Sequence, residues 1–211
     1  MFDFANSHDK MMNRPLPFLL LPFLFLFPAM ISVSADELRV AGKTLAGWTA
    51  QLESENETVR LRAVKSLGPF KAEAIRALAG CLVDESDAVR YWAADHLGQI
   101  GPAVTRSEFH QQVVLQLRKM ESGNGKGVSL PAAFALCTIE SPEKHLNVLV
   151  AALQNPVRGV ACSSAEFLGK LGPGAKAALP ALEKQFRSHK DYHVRGACQN
   201  AIRKIRQEPI R

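Results

Sequence analysis

The amino-acid sequence predicts an all-α protein, an α-solenoid built from about five stacked helix pairs. A pattern of apolar or small residues at relative positions 0, 4, 8 and 11 returns five times among the 211 residues. At 100° per residue these positions fall within about 80° of one another, so each copy describes one buried stripe on a helix. The valines that open successive copies are 30, 39, 32 and 34 residues apart, which is the interval at which a helix pair repeats in a solenoid. The five copies are Val59, Ala63, Leu67 and Phe70; Val89, Ala93, Leu97 and Ile100; Val128, Ala132, Leu136 and Ile139; Val160, Ser164, Leu168 and Leu171; and Val194, Cys198, Ile202 and Ile205.

A shorter apolar stripe precedes each copy and predicts the first helix of each pair. These stripes are Leu45, Trp48 and Leu52; Ile75, Leu78 and Leu82; Val113, Val114 and Leu117; Leu146, Leu149 and Leu153; and Leu179, Leu182 and Phe186. Polar turns at residues 54–56, 84–87 and 190–192 supply caps for the second helices. Pro180 is expected to bend the last first helix or to fall in its opening turn. Glycines are expected to end the second helices in a left-handed conformation, namely Gly68, Gly98, Gly101, Gly169 and Gly172.

Two stretches of the chain carry a resemblance to a known family. Residues 84–101, which include Asp84, Val89-Arg90 and Leu97-Gly98, and residues 168–182, which include Leu171-Gly172-Pro173, resemble HEAT repeats. More narrowly, they are similar to the short HEAT-like repeats first associated with phycobilin lyases, and the similarity extends over residues 41–207. The resemblance implies a right-handed α-solenoid (α-α superhelix) of about five HEAT-like helix pairs, a fold used mostly for protein binding. The third copy departs most, with an insertion at residues 121–127.

The N-terminal segment has the composition of a secretory signal peptide. An apolar run at residues 16–31 follows Lys10 and Arg14, and Val33 and Ala35 provide small residues ahead of a cleavage point. We expect residues 1–35 to be cleaved, which leaves a repeat domain of residues 36–211 that is secreted or periplasmic, with bacterial export as the default. A retained membrane anchor is the alternative, although the run is shorter than the roughly 20 residues needed to cross a bilayer. Met1, Met11 and Met12 are all possible starts.

The net charge of +6 is concentrated in the last repeat, because basic and acidic residues balance from residue 36 to residue 183. The candidate basic patch consists of Lys184, Arg187, Lys190, Arg195, Arg203, Lys204 and Arg206. Such a patch binds a polyanion or an anionic membrane surface, or it simply solvates the end of the solenoid. No nucleic acid is expected as a partner, because an exported protein seldom meets a genome and no aromatic cluster accompanies the basic residues.

The sequence predicts no catalytic, metal or cofactor site. His189 and His193 lie four residues apart but lack a positioned third ligand. His145 lies on a first helix without a recognisable carboxylate arrangement. HEAT-like hydroxylases carry repeated His-Glu dipeptides, and this chain has none, so a bilin-lyase-like or hydroxylase-like enzyme is only an alternative that the resemblance implies. Four cysteines at or near stripe positions predict buried thiols, with a disulfide between Cys162 and Cys198 as the alternative; they are Cys81, Cys137, Cys162 and Cys198.

The function predicted from the sequence is therefore an exported, noncatalytic protein-protein interaction scaffold with an unidentified protein partner. The candidate protein-binding face is the row of second-helix residues that lie off the buried stripe: Lys65, Tyr91, Trp92, Asp95, Gln99, Glu166, Lys170 and Lys204. Tyr91 and Trp92 are the candidate anchors, because large aromatic side chains dominate contact energies at interfaces. Arg60, Arg90 and Arg195 follow the valine of three copies and are expected to be structural, with Glu57 and Asp87 as helix-face partners of the first two.

Overall fold

The computed structural model describes residues 38–123 and 127–207, and nearly all of this part of the chain is helical. The α-helices are α1 (Leu45–Thr49), α2 (Glu57–Ser66), α3 (Ile75–Cys81), α4 (Asp87–Ile100), α5 (Pro102–Thr105), α6 (His110–Ser122), α7 (Ser129–Ile139), α8 (Pro142–Ala152), α9 (Arg158–Leu171), α10 (Leu179–Ser188) and α11 (Tyr192–Arg206). Three 3-10 segments join them, at Ala50–Glu53, Gly68–Ala74 and Gly172–Ala178. The predicted signal peptide, residues 1–35, lies outside the described residues. None of the helices in these two stretches has the length and apolar character needed to span a bilayer.

The helices form the five stacked pairs that the sequence predicts, and the fold is an α-solenoid. The pairs are α1 with α2, α3 with α4, α6 with α7, α8 with α9, and α10 with α11, while the short α5 fills the longer connection before the third pair. Second helices pack on one another in sequence order, α2 on α4, α4 on α7, α7 on α9 and α9 on α11. Among the helices of the five pairs α1 is the shortest; it has five residues and continues as a 3-10 turn.

Most residues of the predicted stripes form the core, but Phe186, the last residue of the predicted α10 stripe, is 37% exposed. Val89, Val128 and Val194 are buried, whereas Val59 and Val160 are half-buried. The core divides into two clusters of apolar side chains that meet at α7. Every residue of α7 from Leu130 to Cys137 is buried, because one side of this helix packs into the first cluster and the other side into the second.

Glycine has two separate structural uses, and one of them differs from the prediction. Gly101 and Gly172 end α4 and α9 as predicted and have a positive φ of 55°, but their ψ values of −120° and −135° lie outside the predicted left-handed helical region. Gly98 and Gly169 do not end their helices; they lie inside α4 and α9 where the next second helix approaches closely. A Cβ on Gly98 would lie 2.5 Å from the Phe134 ring, and one on Gly169 would lie 3.2 Å from the Cα of Ala201. Gly68 likewise opens a 3-10 segment and faces the His96 ring.

The arginine that follows the first stripe valine in three repeats hydrogen-bonds to the turn that precedes its own helix. Arg60 donates to the carbonyls of Ser54 and Glu55 at 2.9 and 3.1 Å. Arg90 does the same to residues 84 and 85, and Arg195 to residues 189 and 190. The structural role is confirmed, and so is the ion pair of Arg90 with Asp87. The expected partner of Arg60 was wrong, because its guanidinium reaches forward to the carboxylates of the next turn, residues 84 and 85, at 2.9 and 2.7 Å.

Pro180 is the second residue of α10, so it lies in the opening turn, where its missing N–H has no helical partner to lose. Thr44, Asn56 and Asp191 cap α1, α2 and α11 through their side-chain oxygens. Asn56 therefore serves as the helix cap at the start of the second helix of the first repeat.

Candidate protein-binding face

The candidate protein-binding face runs along α2, α4, α9 and α11, and most of its predicted residues are accessible. Lys65, Gln99, Glu166, Lys170 and Lys204 are exposed. The two predicted anchors, Tyr91 and Trp92, are half-buried, so each presents only part of its ring to solvent.

The Trp92 ring links the first and second repeats across this face. Its neighbours are Lys65, whose Nζ lies 5.1 Å from the ring centroid, and Tyr91, which meets it edge to face at 5.9 Å. A cation over an aromatic face contributes about 0.5–1 kcal/mol at an exposed site. The lysine and the two rings therefore form one continuous contact surface across α2 and α4.

Asp95 does not belong to the open surface, and this part of the prediction was wrong. The residue is 3% exposed, and its carboxylate accepts hydrogen bonds from Lys170 at 2.7 Å and from Gln99 at 3.0 Å. A buried carboxylate requires a charged partner, and the partner here comes from α9, two repeats further along the chain. Lys170 is thus a structural residue as well as a surface one.

α4 and α9 meet over the buried α7. Beneath the Asp95–Lys170 pair, Phe134 of α7 stacks on Phe167 of α9 at 5.1 Å, and the Lys170 ammonium lies 4.9 Å from the Phe167 ring. Tyr91 closes the same cluster from α4, 6.2 Å from Phe167. Burial, followed by the charge of Asp95, raises the pKa of Tyr91, so its hydroxyl stays protonated at neutral pH. Sequence reasoning missed Phe134 and Phe167, because nothing in the pattern places α4 next to α9.

His96 is a packed histidine beneath this face, as expected. It is 8% exposed, its ring lies 5.8 Å from Trp92, and its Nε2 atom has no hydrogen-bond partner. Burial lowers the pKa of His96, so the neutral ring is the stable form. A Cβ on Gly68 would come within 2.6 Å of this ring, which explains why glycine is required at the end of the second helix of the first repeat.

A second polar cluster, which sequence reasoning did not find, joins the third and fourth repeats. The Nδ1 atom of the buried His145 lies 2.9 Å from a carboxylate oxygen of Glu121, and its Nε2 atom lies 3.1 Å from one of Glu140. Arg118 donates to Glu140 as well. Desolvation opposes ionisation of Glu140, but the hydrogen bonds from Arg118 and His145 outweigh it and lower the pKa of this carboxyl. The cluster connects α6, the end of α7 and α8, so its role is structural.

The candidate basic patch is only partly available for binding. Lys184, Arg187, Lys190 and Lys204 are exposed. Arg195 donates hydrogen bonds to the carbonyls of its own turn. Glu183 forms ion pairs with Arg206 at 2.5 Å and with Arg187 at 3.5 Å. Arg203 is half-buried.

The cysteines are free thiols in the structure. Cys81, Cys137 and Cys198 are buried and Cys162 is half-buried. Burial raises the pKa of Cys81 and Cys137 to about 12 and that of Cys198 to about 11, so these thiols are protonated and unreactive at neutral pH. Within residues 38–123 and 127–207, no group of three or more histidine, cysteine or acidic side chains is arranged to hold a metal ion.

The comparisons with known proteins agree with this architecture. Residues 45–118 match the family model described as HEAT repeats. No curated protein has a significantly similar sequence. Among solved structures, the complex of CpcE and CpcF of phycocyanin lyase from Nostoc sp. PCC7120 is similar, with a TM-score of 0.52 and 17% identity over 74% of this chain and 96% of that chain.

Two further solved structures are similar at lower TM-scores. A designed armadillo repeat protein in complex with the peptide (KR)4 has a TM-score of 0.49 and 19% identity, over 76% of this chain and 81% of that chain. An engineered protein has a TM-score of 0.48 and 23% identity, over 77% of this chain and 79% of that chain. The helix pairs of this chain form an α-solenoid, and its first repeats match the HEAT family model.

Proposed function

We propose that this protein is an exported, noncatalytic scaffold that binds another protein through the candidate protein-binding face. The observation that carries the proposal is the continuity of this face. Lys65 touches Trp92, Tyr91 touches Phe167, and Asp95 bonds to Lys170, so the exposed side chains of α2, α4 and α9 are linked to one another, in part through the buried Phe167 and Asp95.

The rigidity of the face supports binding without a large ordering cost. Association loses about 0.5–1.5 kcal/mol for each long side chain that becomes immobilised. Here the central side chains are already held by the buried ion pair and the stacked rings, so a partner meets a preformed surface. Half-buried aromatic rings with one edge exposed are the usual anchors of such surfaces.

Substitutions at Lys170 or Tyr91 do not give a clear test of binding through this face. Removing Lys170 leaves the buried carboxylate of Asp95 without its charged partner, and removing Tyr91 opens the packing against Phe167. Both changes lower stability, so a loss of binding would not identify the face. The exposed lysines at its two ends, Lys65 and Lys204, are cleaner probes.

We therefore propose charge reversal at both ends, Lys65→Glu with Lys204→Glu, as the test. The matched control is Lys119→Glu with Lys144→Glu, which reverses two exposed lysines on first helices. Each form is used as bait in envelope extracts, and captured proteins are quantified. The proposal expects a stoichiometric protein that the wild-type and control forms retain and the end variant loses. Equal recovery by the end variant, or no stoichiometric protein on the wild-type bait, contradicts the proposal.

Export is a separate part of the proposal and rests on the composition of residues 1–35. Its test is the N-terminus of the protein recovered from the producing cells. Mass spectrometry is expected to find Asp36 as the first residue in the envelope or medium. A chain that retains its apolar run and stays with the membrane fraction supports the anchor, and an uncleaved chain in the cytoplasm refutes export.

A second candidate function, binding to a polyanion or an anionic membrane, is favoured by the exposed Lys184 and Lys190 of the last repeat. It is the weaker candidate because Arg195 and Arg206 are already engaged within the protein. Binding of this kind falls steeply with salt. This function predicts that the reversal Lys184→Glu with Lys190→Glu abolishes vesicle binding, whereas the single change Lys65→Glu, which lies outside the basic patch, leaves it intact.

A further inference from the structure

An apolar groove lies between the first helices of the first two repeats, away from the candidate protein-binding face. It has a volume of about 870 Å³. Leu45, Leu52, Phe70 and Ala77 provide its apolar lining, and it extends to Val83, which is 62% exposed. The groove exists because α1 has only five residues and its 3-10 continuation does not fill the space beside α3.

The rim of this groove is predominantly acidic. Glu53, Glu73 and Asp84 line it, with Arg76 as the only basic residue among its lining side chains in the described part of the chain. One of these carboxylates, that of Asp84, is already paired with Arg60 at 2.9 Å. The negative charge of the rim therefore comes mainly from Glu53 and Glu73, which are both exposed. An occupant is expected to combine an apolar group with basic neighbours.

The turn before α11 has this combination. Tyr192 opens α11, and it is 66% exposed. The turn is rigid, because Asp191 caps the helix and Arg195 donates to the carbonyls of His189 and Lys190. Lys190, two residues before the tyrosine, is exposed. Desolvation raises the pKa of Asp191, but hydrogen bonds from backbone N–H groups and the nearby charge of Arg158, from the neighbouring repeat, outweigh it and lower this pKa.

We propose that a second copy of this chain inserts its Tyr192 turn into the groove, so that two copies form a closed pair. The groove runs between the first helices of the first two repeats and reaches, at Glu53, Val83 and Asp84, the edge of the stack where first helices turn into second helices; the Tyr192 turn lies on the same edge at the fifth repeat. Two copies that run in opposite directions can therefore make the same contact twice, which is the usual geometry of a two-fold dimer. The acidic groove of each copy then faces the basic turn of its partner.

The pair is a weak one. A buried aromatic side chain removes about 150–250 Å² from solvent, so the two inserted rings account for about 300–500 Å², well below the lower limit of specific interfaces at about 1,200 Å². The contact is also charged, so it weakens as salt screens the groove from the turn. We expect a reversible equilibrium between one and two chains, not a permanent dimer.

The test is sedimentation equilibrium of the full chain at protein concentrations from about 5 to about 500 µM, the range in which weak interfaces are populated. The wild-type mass is expected to rise toward two chains and to fall back when the salt concentration is raised. Tyr192→Ala removes the inserted ring, and Ala46→Trp fills the groove from an exposed position on α1. Each is expected to weaken association at least tenfold. Leu115→Ala, at an apolar residue 54% exposed on α6, and Ala151→Trp, at an exposed alanine on α8, are the matched controls and are expected to leave it unchanged.

A charge exchange gives the decisive outcome. Glu53→Lys with Glu73→Lys reverses the groove rim, and Arg158→Glu with Lys190→Glu reverses the turn. Each double variant alone is expected to stay monomeric, whereas an equimolar mixture recovers the wild-type association, because each contact again joins opposite charges. All samples keep residues 1–37, so association through the apolar leader does not respond to these changes. A wild-type chain that stays monomeric throughout, association that survives both Tyr192→Ala and Ala46→Trp, or a mixture that fails to recover refutes the proposal.

Discussion

Lys71 occupies a backbone position that two other repeats give to glycine, and this makes it the most informative place to perturb the fold. The residue has φ of 51° and ψ of −126°, whereas Gly101 and Gly172 at the equivalent positions have φ of 55° with ψ of −120° and −135°. A side chain in such a sparsely populated region costs about 1–3 kcal/mol. We therefore expect Lys71→Gly to stabilise the protein.

The magnitude follows from two opposing terms. Relief of the backbone strain contributes about 1–3 kcal/mol, and the greater freedom of glycine in the unfolded chain removes about 0.4–1 kcal/mol. The balance is a gain of about 1 kcal/mol, or a rise in melting temperature of about 2–4 °C for a chain of this size. Gly172→Ala is the reverse experiment. No atom lies within 4 Å of the position a Cβ would take there, so its expected loss of about 1 kcal/mol is the same balance of the two terms with the opposite sign, without a steric clash.

Urea unfolding followed by circular dichroism measures both changes. Lys71→Ala is the control, because it removes the lysine side chain and retains the Cβ that causes the strain. The reasoning is refuted if Lys71→Gly is no more stable than Lys71→Ala, or if Gly172→Ala leaves stability unchanged. Two substitutions of opposite chemical direction at equivalent positions must move stability in opposite directions.

Three further predictions concern packing, ionisation and thiol chemistry. In Gly98→Ala the new Cβ meets the Phe134 ring, so this variant is expected to be about 1–3 kcal/mol less stable than Gly196→Ala. Gly196→Ala is the control, because it gains the same helix propensity in α11 with no atom within 4 Å of the new Cβ. Equal midpoints of urea unfolding contradict this prediction. The pKa of Glu140 is lower in the folded protein than its ordinary value of 4.5, so its ionised carboxylate stabilises the fold at pH values above 4.5, and this stabilisation is lost as the pH falls through the folded pKa. The difference in unfolding free energy between wild type and Glu140→Gln is therefore expected to shrink from about pH 6 to about pH 3. A thiol reagent is expected to modify one cysteine rapidly under native conditions, and Cys162→Ser is expected to abolish that fast phase, because Cys162 is the only one of the four that is not buried; fast modification of a second thiol contradicts this.

The helical repeat was predictable because its physical cause is local. A helix must bury one stripe, so the spacing of Val89, Ala93 and Leu97 specifies both the element and the side that packs. All three are buried. The wholly buried α7 also had a signal in the sequence, since residues 130–137 contain no charged or strongly polar side chain. This signal is the apolar character of the helix on all sides.

The contacts that shape the candidate face were not predictable, because their partners are far apart in the chain. Asp95 and Lys170 are 75 residues apart, and neither the period nor the charge pattern assigns them to one another. The same holds for His145 and Glu121, 24 residues apart. A helical wheel places Asp95 outside the core stripe of α4. The residue is nevertheless buried, because side chains of α4 and α9 meet above α7.

The buried α7 limits how a partner could bind the candidate protein-binding face. Because α7 exposes little, a ligand that follows the face must cross from α4 to α9 above the Asp95–Lys170 pair, whose charges already neutralise one another. Little electrostatic attraction remains at the centre, and the affinity there must come from the exposed parts of Tyr91 and Trp92. The uncompensated positive charges lie at the two ends, at Lys65 and Lys204. Surface charges such as these act mainly on association rates and on discrimination between partners. We therefore expect salt to slow binding to this face and to leave the dissociation rate almost unchanged, whereas a face that binds through charge at its centre would dissociate faster as salt rises.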